Sequence, residues 1–430
     1  MNSEQAQRKQ KRCSVNGEKR LKTTIKEEYR QSSSIKVSEN DRYFVDSGGR
    51  PVFWLGTTQW QIFREHPLAE AELILEKTRK NEFKFVQAML LGVGDGTKPN
   101  VYGETPWKNG DPETPNEAFF EHVDSVVQSA YKKGLVFVAG IYHQTMGNRV
   151  NAKNARTWAH WVAERYRDAP NLIWSMYPRA EPEYTPLMRE LAAGLQQGDG
   201  GFHLITVHPD PSPTSSSTYL HGEGWLAFNS MQPWRYIELM YSMIAHDYGL
   251  KPVKPAVMAE GVYEQGTEYG FDVTPLWVRR QAYYSYLAGA HHSYGHNDSW
   301  RMLPTWKEAL DAPGAKQMGI LKKVFLDLEE WWNLIPDQTI LASGGQTDGR
   351  LLNLAARHKD GKWVIAYFAD KASFKVDIGK VMAGNKAEAF WIDPRNGEST
   401  PTGSFSTKGI KSFSTPDGWE DSLFLLKSKE

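Results

Sequence analysis

Apolar runs of strand length alternate with segments of helical spacing through most of this chain, and that rhythm narrows the possible folds more than any other feature. The runs are Val52–Gly56, Phe83–Leu90, Leu135–Tyr142, Leu172–Tyr177, Leu204–His208 and Ala256–Ala259, and the more polar segments Phe228–Met231 and Gly289–Tyr294 complete the series. Runs of this kind, without polar alternation, read as parallel strands buried on both faces. Between them lie helical stripes such as Leu68, Ala71, Leu75 and Thr78, then Phe120, Val123, Val127 and Tyr131, then Trp158, Trp161, Val162 and Tyr166. The segment Leu276–Leu287 precedes the last run. Eight strand-then-helix units over roughly 250 residues predict an α/β fold of the TIM (β/α)8 barrel type. A doubly wound sheet is the alternative, but no strand is followed by a glycine-rich phosphate loop.

Residues 1–38 are rich in Lys, Arg, Gln and Ser and offer almost nothing to bury, so a disordered tail is expected there. A hairpin, Arg42–Asp46 and Val52–Gly56 around a glycine turn, leads into the barrel, which is expected to span 39–335. A helix over Ala315–Trp332 closes it. Beyond lie short alternating runs at Leu351–Arg357, Trp363–Phe368, Ser373–Ile378, Ala387–Ile392 and Ser422–Leu426, separated by turns such as Lys359-Asp360-Gly361. They predict a small β-sandwich over 336–430, and a boundary near Ile335-Pro336-Asp337 beyond which the barrel does not depend for its folding.

Lys plus Arg and Asp plus Glu number 51 each, so no net field draws the chain to nucleic acid or an anionic membrane. Nothing approaches a membrane-spanning apolar run, and the N-terminus lacks a signal-type apolar core. Cys13 is the only cysteine, which excludes a disulfide framework and thiolate metal clusters. No metal and no cofactor is expected, and the chain is expected to be a monomer.

In a barrel the chemistry sits at the C-terminal ends of the strands. Taken strand by strand, that face collects Thr57, Thr58, Gln59 and Trp60, then Asp95, Tyr102 and Trp107, then Tyr142, His143 and Gln144. Arg179, Glu181 and Glu183 follow, then His208 and Asp210, Gln232 and Trp234, Glu260 and Glu264, and Tyr294, His296 and Asn297. Several carboxylates flanked by tryptophans suit glycosidic-bond cleavage, where one acid protonates the leaving oxygen and a second carboxylate attacks or activates water. Glu260 ends a buried strand immediately before a glycine and is the candidate nucleophile or base. Glu181, in the loop after strand four, is the candidate acid, with Glu183 behind it. Arg179 could hold either carboxylate ionised or bind an acidic sugar. Trp60, Gln59, Tyr102, Trp107, His143, Arg179, His208, Gln232, Trp234, Glu264, Tyr294, His296 and Asn297 are the candidate sugar contacts.

Five segments stand in the same order as in the apiosidase-like glycoside hydrolases: Gly56-Thr57-Thr58-Gln59-Trp60, Pro99-Asn100-Val101-Tyr102-Gly103, Glu260-Gly261-Val262-Tyr263-Glu264, Tyr294-Gly295-His296-Asn297 and Thr305-Trp306-Lys307-Glu308-Ala309-Leu310. The chain resembles that family from about residue 40 to 335, and the remainder resembles the β-domain usually attached to it, labelled collagen-binding. The resemblance implies a catalytic role for Glu260, a plant- or algal-type polysaccharide or oligosaccharide as substrate, and export from the cell. Two positions depart from the family pattern. Thr57 stands where the family has the aspartate of Gly-Asp-Thr-Ala-Trp. Arg179 stands where it has the acid of Gly-Gly-Asp, which leaves Glu181 as the inferred substitute. A carbohydrate-binding protein without catalysis is the alternative reading of these departures.

Overall fold

The computed structural model describes residues 34–179 and 181–429. The expected disordered tail therefore lies mostly outside the described residues. Its last part, residues 34–38, is ordered: Ile35 is buried and Lys36–Val37 pairs with Phe44–Val45, which pairs in turn with Pro51–Val52. One isoleucine and the packing of Phe44 decide this, against a local composition that reads as solvated.

Eight parallel strands form the barrel: β1 (Leu55–Thr58), β2 (Phe85–Met89), β3 (Val136–His143), β4 (Leu172–Tyr177), β5 (Ile205–Val207), β6 (Asn229–Gln232), β7 (Ala256–Met258) and β8 (His291–Tyr294). The ladder runs β5-β4-β3-β2-β1-β8-β7-β6, with β8 against β1 as a closed barrel requires. The remaining seam, between β5 and β6, is closed by single bonds. Ala227 N–H donates to Ile205 O at 2.9 Å, and the Thr206 and Ser230 hydroxyls meet at 2.9 Å. No helix among the described residues is long and apolar enough to cross a membrane.

Side chains two apart on a strand share a face, so each strand sends a graded series into the barrel. At the bottom these are Trp54, Phe85, Val136, Val138, Ile173, Phe228 and Val257, one apolar cluster with Phe44 inserted from the N-terminal hairpin. Trp54 stacks on Phe85 at 3.9 Å and meets Phe44 at 4.6 Å. Higher up the same series turns polar, with buried Thr58, Gln87, Thr206, Ser230, Gln232 and Ser293. The gradient leaves a dry plug below and hydrogen-bonding groups at the mouth.

The outward residues of β2, β3 and β4 pack under helices α1 (Leu68–Lys80), α2 (Glu117–Lys132), α3 (Ala155–Arg165) and α4 (Thr185–Asp199). Helix α5 (Met240–Gly249) follows β6, α6 (Pro275–Leu287) follows β7, and α7 (Pro313–Leu326) follows β8. The last is shorter than its apolar pattern implied. The chain turns at Glu330 with φ 48°, and Trp331 swings onto Phe53 at 5.1 Å instead of continuing the helix.

The C-terminal part consists of two antiparallel sheets. One has six strands in the order Leu334–Pro336, Asn353–His358, Trp363–Phe368, Ser422–Lys429, Lys386–Ile392 and Ser399–Ser406. The other joins Leu341–Ser343, Ser373–Asp377 and Ile410–Ser414. Phe368, Phe374, Trp391 and Phe424 fill the space between them. Ser399–Ser406 and Ile410–Ser414 are edge strands with mostly exposed side chains, so they carry no apolar alternation for the sequence to show.

The six-stranded sheet has a second apolar face, and it covers α6. Leu354, Ile365, Tyr367, Leu423 and Leu425 share one core cluster with Val278, Tyr283 and Leu287. Every α6 side chain from Val278 to Leu287 is buried. At the centre Arg279 binds Asp421 through both Nε (2.8 Å) and Nη2 (2.7 Å), and Tyr367 O–H donates to the same carboxylate at 2.6 Å. From Val278 onward the helix beneath this sheet has no face of its own for water.

Candidate active site

Glu260 stands two residues past β7, and its position is fixed from behind. Gln281 of α6 accepts from Val262 N–H at 3.0 Å and donates to Val262 O at 2.7 Å. A Cβ at position 261 would lie 2.3 Å from Gln281 Oε1, so the residue after the acid has to be glycine for this clamp to close. Gly295 plays a similar part opposite, where a Cβ would lie 2.5 Å from the Tyr263 ring.

Around the Glu260 carboxylate are Tyr177, whose O–H lies 3.2 Å from Oε2, and His208, whose Nε2 lies 3.5 Å from the same oxygen. Gln232 Oε1 accepts from Tyr177 O–H at 3.0 Å, so one phenolic proton serves two acceptors. Trp60 Nε1–H donates to Tyr263 O–H at 2.8 Å, which frees the Tyr263 proton for Glu260. His143 stacks on Tyr177 at 5.2 Å and Trp60 meets it edge-on at 6.1 Å. The Glu260 side chain keeps 14% of its surface open, enough for a substrate to reach it.

Burial pushes Glu260 up from the ordinary 4.5 to about 8, and the negative charges of Asp210 and Glu268 add to it, while the Tyr177 and Tyr263 hydroxyls pull it down. Burial, with a smaller push from His143, lowers His208 to about 3, so the imidazole faces Glu260 as a neutral ring. Several buried polar atoms here have no hydrogen-bond partner among the described residues, including both His208 ring nitrogens, Glu268 Oε2 and Trp300 Nε1. Unpaired buried polar atoms are rare, and in a cleft they are the places where a polyhydroxylated ligand can bond.

The Tyr177 hydroxyl favours the ionised form of Glu260, so Tyr177→Phe is expected to move the acid limb of kcat/KM upward by about one pH unit. A pH–rate profile of the two proteins checks this, and an unmoved limb would separate Tyr177 from the ionisation that governs the rate.

Of the residues singled out in the sequence, Trp60, His143, His208, Gln232 and Glu260 converge here. Trp234 borders them, its N–H 3.3 Å from Glu260 O and its ring against Tyr269 at 5.4 Å. Others are placed elsewhere. Gln59 is buried and bonded to Ser299 at 2.8 Å. Trp107 is 1% exposed, packed into the outer core against Trp158 at 5.3 Å. Tyr102 lies beside α1, its hydroxyl accepting from Leu68 N–H at 3.1 Å. Glu264 is buried and takes bonds from Tyr294 O–H at 2.5 Å and Gly314 N–H at 3.2 Å, near the start of α7. His296 accepts from Asp298 N–H at 3.1 Å, and Asn297 pairs with Asp298 and Arg301. Glu264, His296 and Asn297, with Tyr294, build the β7 and β8 loops rather than the surroundings of the Glu260 carboxylate.

Glu181 is also set apart. Its Oε1 accepts from Arg179 Nε at 2.9 Å, its side chain is 41% exposed, and it borders a hollow with Tyr184, Met188, Pro209 and Tyr219 that does not include Glu260. Glu183 is exposed. Sequence reasoning passed over Tyr177 and Tyr263. Tyr177 shares its strand face with Arg179, and Tyr263 lies inside the segment that begins at Glu260, so alternation and proximity could have found both.

Comparison with known proteins agrees with the fold described above. The family model "Apiosidase-like, catalytic domain" matches residues 38–333, and "Putative collagen-binding domain of a collagenase" matches 335–427. A solved structure titled glycoside hydrolase is 26% identical with a TM-score of 0.84, covering 93% of this chain and 97% of that one. A family 5 glycoside hydrolase from Bacteroides vulgatus is 25% identical with a TM-score of 0.83, covering 92% and 94%. A family 27 β-L-arabinopyranosidase from Geobacillus stearothermophilus, 11% identical with a TM-score of 0.54 over 88% and 96%, shares the fold alone. No curated protein matches the chain in sequence. With its barrel matched almost end to end, this chain belongs to the apiosidase-like family of glycoside hydrolase catalytic domains, joined to a collagen-binding-type β-domain.

Proposed function

We propose that the protein is a glycosidase that cleaves plant- or algal-type polysaccharides or oligosaccharides through Glu260 and a second carboxyl group. The observation that carries this is the mouth of the barrel itself. A partly open glutamate lies at the floor, two tyrosine hydroxyls and a neutral histidine face it, and unpaired polar atoms surround it. The second group gives its proton to the glycosidic oxygen as the C–O bond breaks. The Glu260 carboxylate meets the anomeric carbon directly, with retention, or takes the proton of an attacking water, with inversion. Tyr177 and Tyr263 steady its charge, and His208 offers a neutral ring to sugar hydroxyls.

Incubation with a panel of plant cell-wall and algal oligosaccharides, read by reducing-end release and by NMR of the first-formed anomer, tests the reading. Release from at least one class is the expected result. Sugar binding with no release from any class would leave a carbohydrate-binding protein instead.

A further inference from the structure

We infer that Asp210, on the loop after β5, is the carboxyl group that protonates the leaving oxygen, in place of Glu181. The inference rests on the glycosidase reading above and names the second group that reading requires.

The geometry comes from the ladder between β4 and β5, which continues past the last residue of β5. His208 N–H donates to Met176 O at 2.8 Å and Asp210 N–H to Pro178 O at 3.0 Å, the two-residue step of a parallel strand. Arg179 and Asp210 form a further bridge in the same sense. Side chains two apart on such a strand share a face. His208 is in reach of Glu260, so Asp210 stands on the same side, one step nearer the opening.

Its carboxylate accepts from Gln144 Nε2, on the loop just past β3, which turns it over the mouth rather than toward solvent. Asp210 is half-buried, and its charge is felt by Glu260, Tyr177 and His143. Glu268 also acts on Glu260, but it is paired at 2.9 Å with the Arg301 guanidinium, a cation that favours the ionised form of a carboxylate, whereas the Gln144 amide beside Asp210 carries no charge. Glu181 faces its own arginine. Arg179 thus occupies the end of β4 while the acid stands on the neighbouring strand.

In the step proposed, the Asp210 carboxyl proton passes to the glycosidic oxygen while the C–O bonding pair leaves with that oxygen as an alcohol. The aspartate left behind regains a proton from water, directly when water completes the hydrolysis or through solvent. No other reactant is needed.

Protonation matters for leaving groups that cannot depart as anions and little for those that can. Asp210→Ala and the isosteric Asp210→Asn are therefore expected to lose about 10²–10⁴-fold on natural oligosaccharides. On a dinitrophenyl glycoside of the same sugar the loss should be less than about tenfold. Glu181→Ala should stay within a few-fold of the parent on both. Circular dichroism and melting temperatures confirm that the variants are folded, and the asparagine variant serves if alanine disturbs the loop. Equal losses on both substrate kinds, or the selective loss appearing in Glu181→Ala, would overturn the assignment while leaving Glu260 in place. A parent with no turnover on any glycoside would overturn this inference and the glycosidase reading together.

Discussion

Alanine at Asp421 is expected to lower the unfolding free energy by about 3–5 kcal/mol, the usual result of removing one partner from a buried ion pair. Arg279 and Asp421 have side chains only 2% and 0% exposed. In the variant the guanidinium keeps its Gln317 contact at 2.6 Å but loses both bonds to the carboxylate, and Tyr367 loses its acceptor. The one other carboxylate among the described residues within ion-pair reach of the guanidinium is Glu420, 4.0 Å from Nη2 and outside hydrogen-bond distance. Removing both charges is a different matter, because a well-packed apolar pair can replace a buried salt bridge at little cost. Arg279→Met with Asp421→Leu should therefore be far less damaging than Asp421→Ala alone. Urea midpoints of the three proteins check this, and a shift in Asp421→Ala equivalent to less than about 1 kcal/mol would mean the pair is not the lock described.

The same contact bears on the site. Gln281, two residues after Arg279 on α6, clamps the turn that follows Glu260. A chain cut near Leu334 would expose Val278, Tyr283 and Leu287 together, all of which are buried against the sheet. Such a chain is expected to aggregate rather than persist as a free barrel.

Much of this architecture was legible because burial on both faces leaves apolar runs such as Leu135–Tyr142 and Ala256–Ala259. Each of the eight barrel strands overlaps a segment expected as strand, although Phe228–Met231 and Gly289–Tyr294 are half polar. The closing helix was overextended because Leu328 and Trp331 continue an apolar stripe. Only tertiary packing, with Trp331 drawn onto Phe53, reveals that the chain turns there. Ser399–Ser406 was invisible for the opposite reason, since an edge strand in water needs no apolar residues. At the site, strand-end position alone selected Glu260, His208 and Gln232 correctly as neighbours. It could not separate them from Trp107 or Glu264, because a residue just past a strand can turn into the mouth or away from it. Glu181 suits the acid role only by its distance along the chain from β4. Its partner Arg179 and the hydrogen bond from Gln144 to Asp210 depend on side-chain directions that spacing does not encode.

Glu260→Gln is expected to abolish turnover, by a factor on the order of 10⁴ or more, while the fold is kept. The amide has the size of the acid and can still accept from Tyr177 and Tyr263, but it can neither attack a sugar nor take a proton from water. Its effect on stability should run the other way. Because burial raises the Glu260 carboxyl from 4.5 to about 8, the folded chain binds more protons than the unfolded one across that window, and stability falls as pH rises through it. Glutamine never carries this charge. The variant should equal the parent near pH 4 and exceed it by about 1–3 kcal/mol above pH 8. A carboxylate kept for reactivity at the expense of stability would behave in this way.

The role of Glu260 is tested most directly by kcat/KM of parent and Glu260→Gln on the best oligosaccharide of the panel, with binding of that oligosaccharide measured by calorimetry alongside. Turnover lost while binding persists is the predicted result, and hydrolysis by the variant at the parental rate would contradict it.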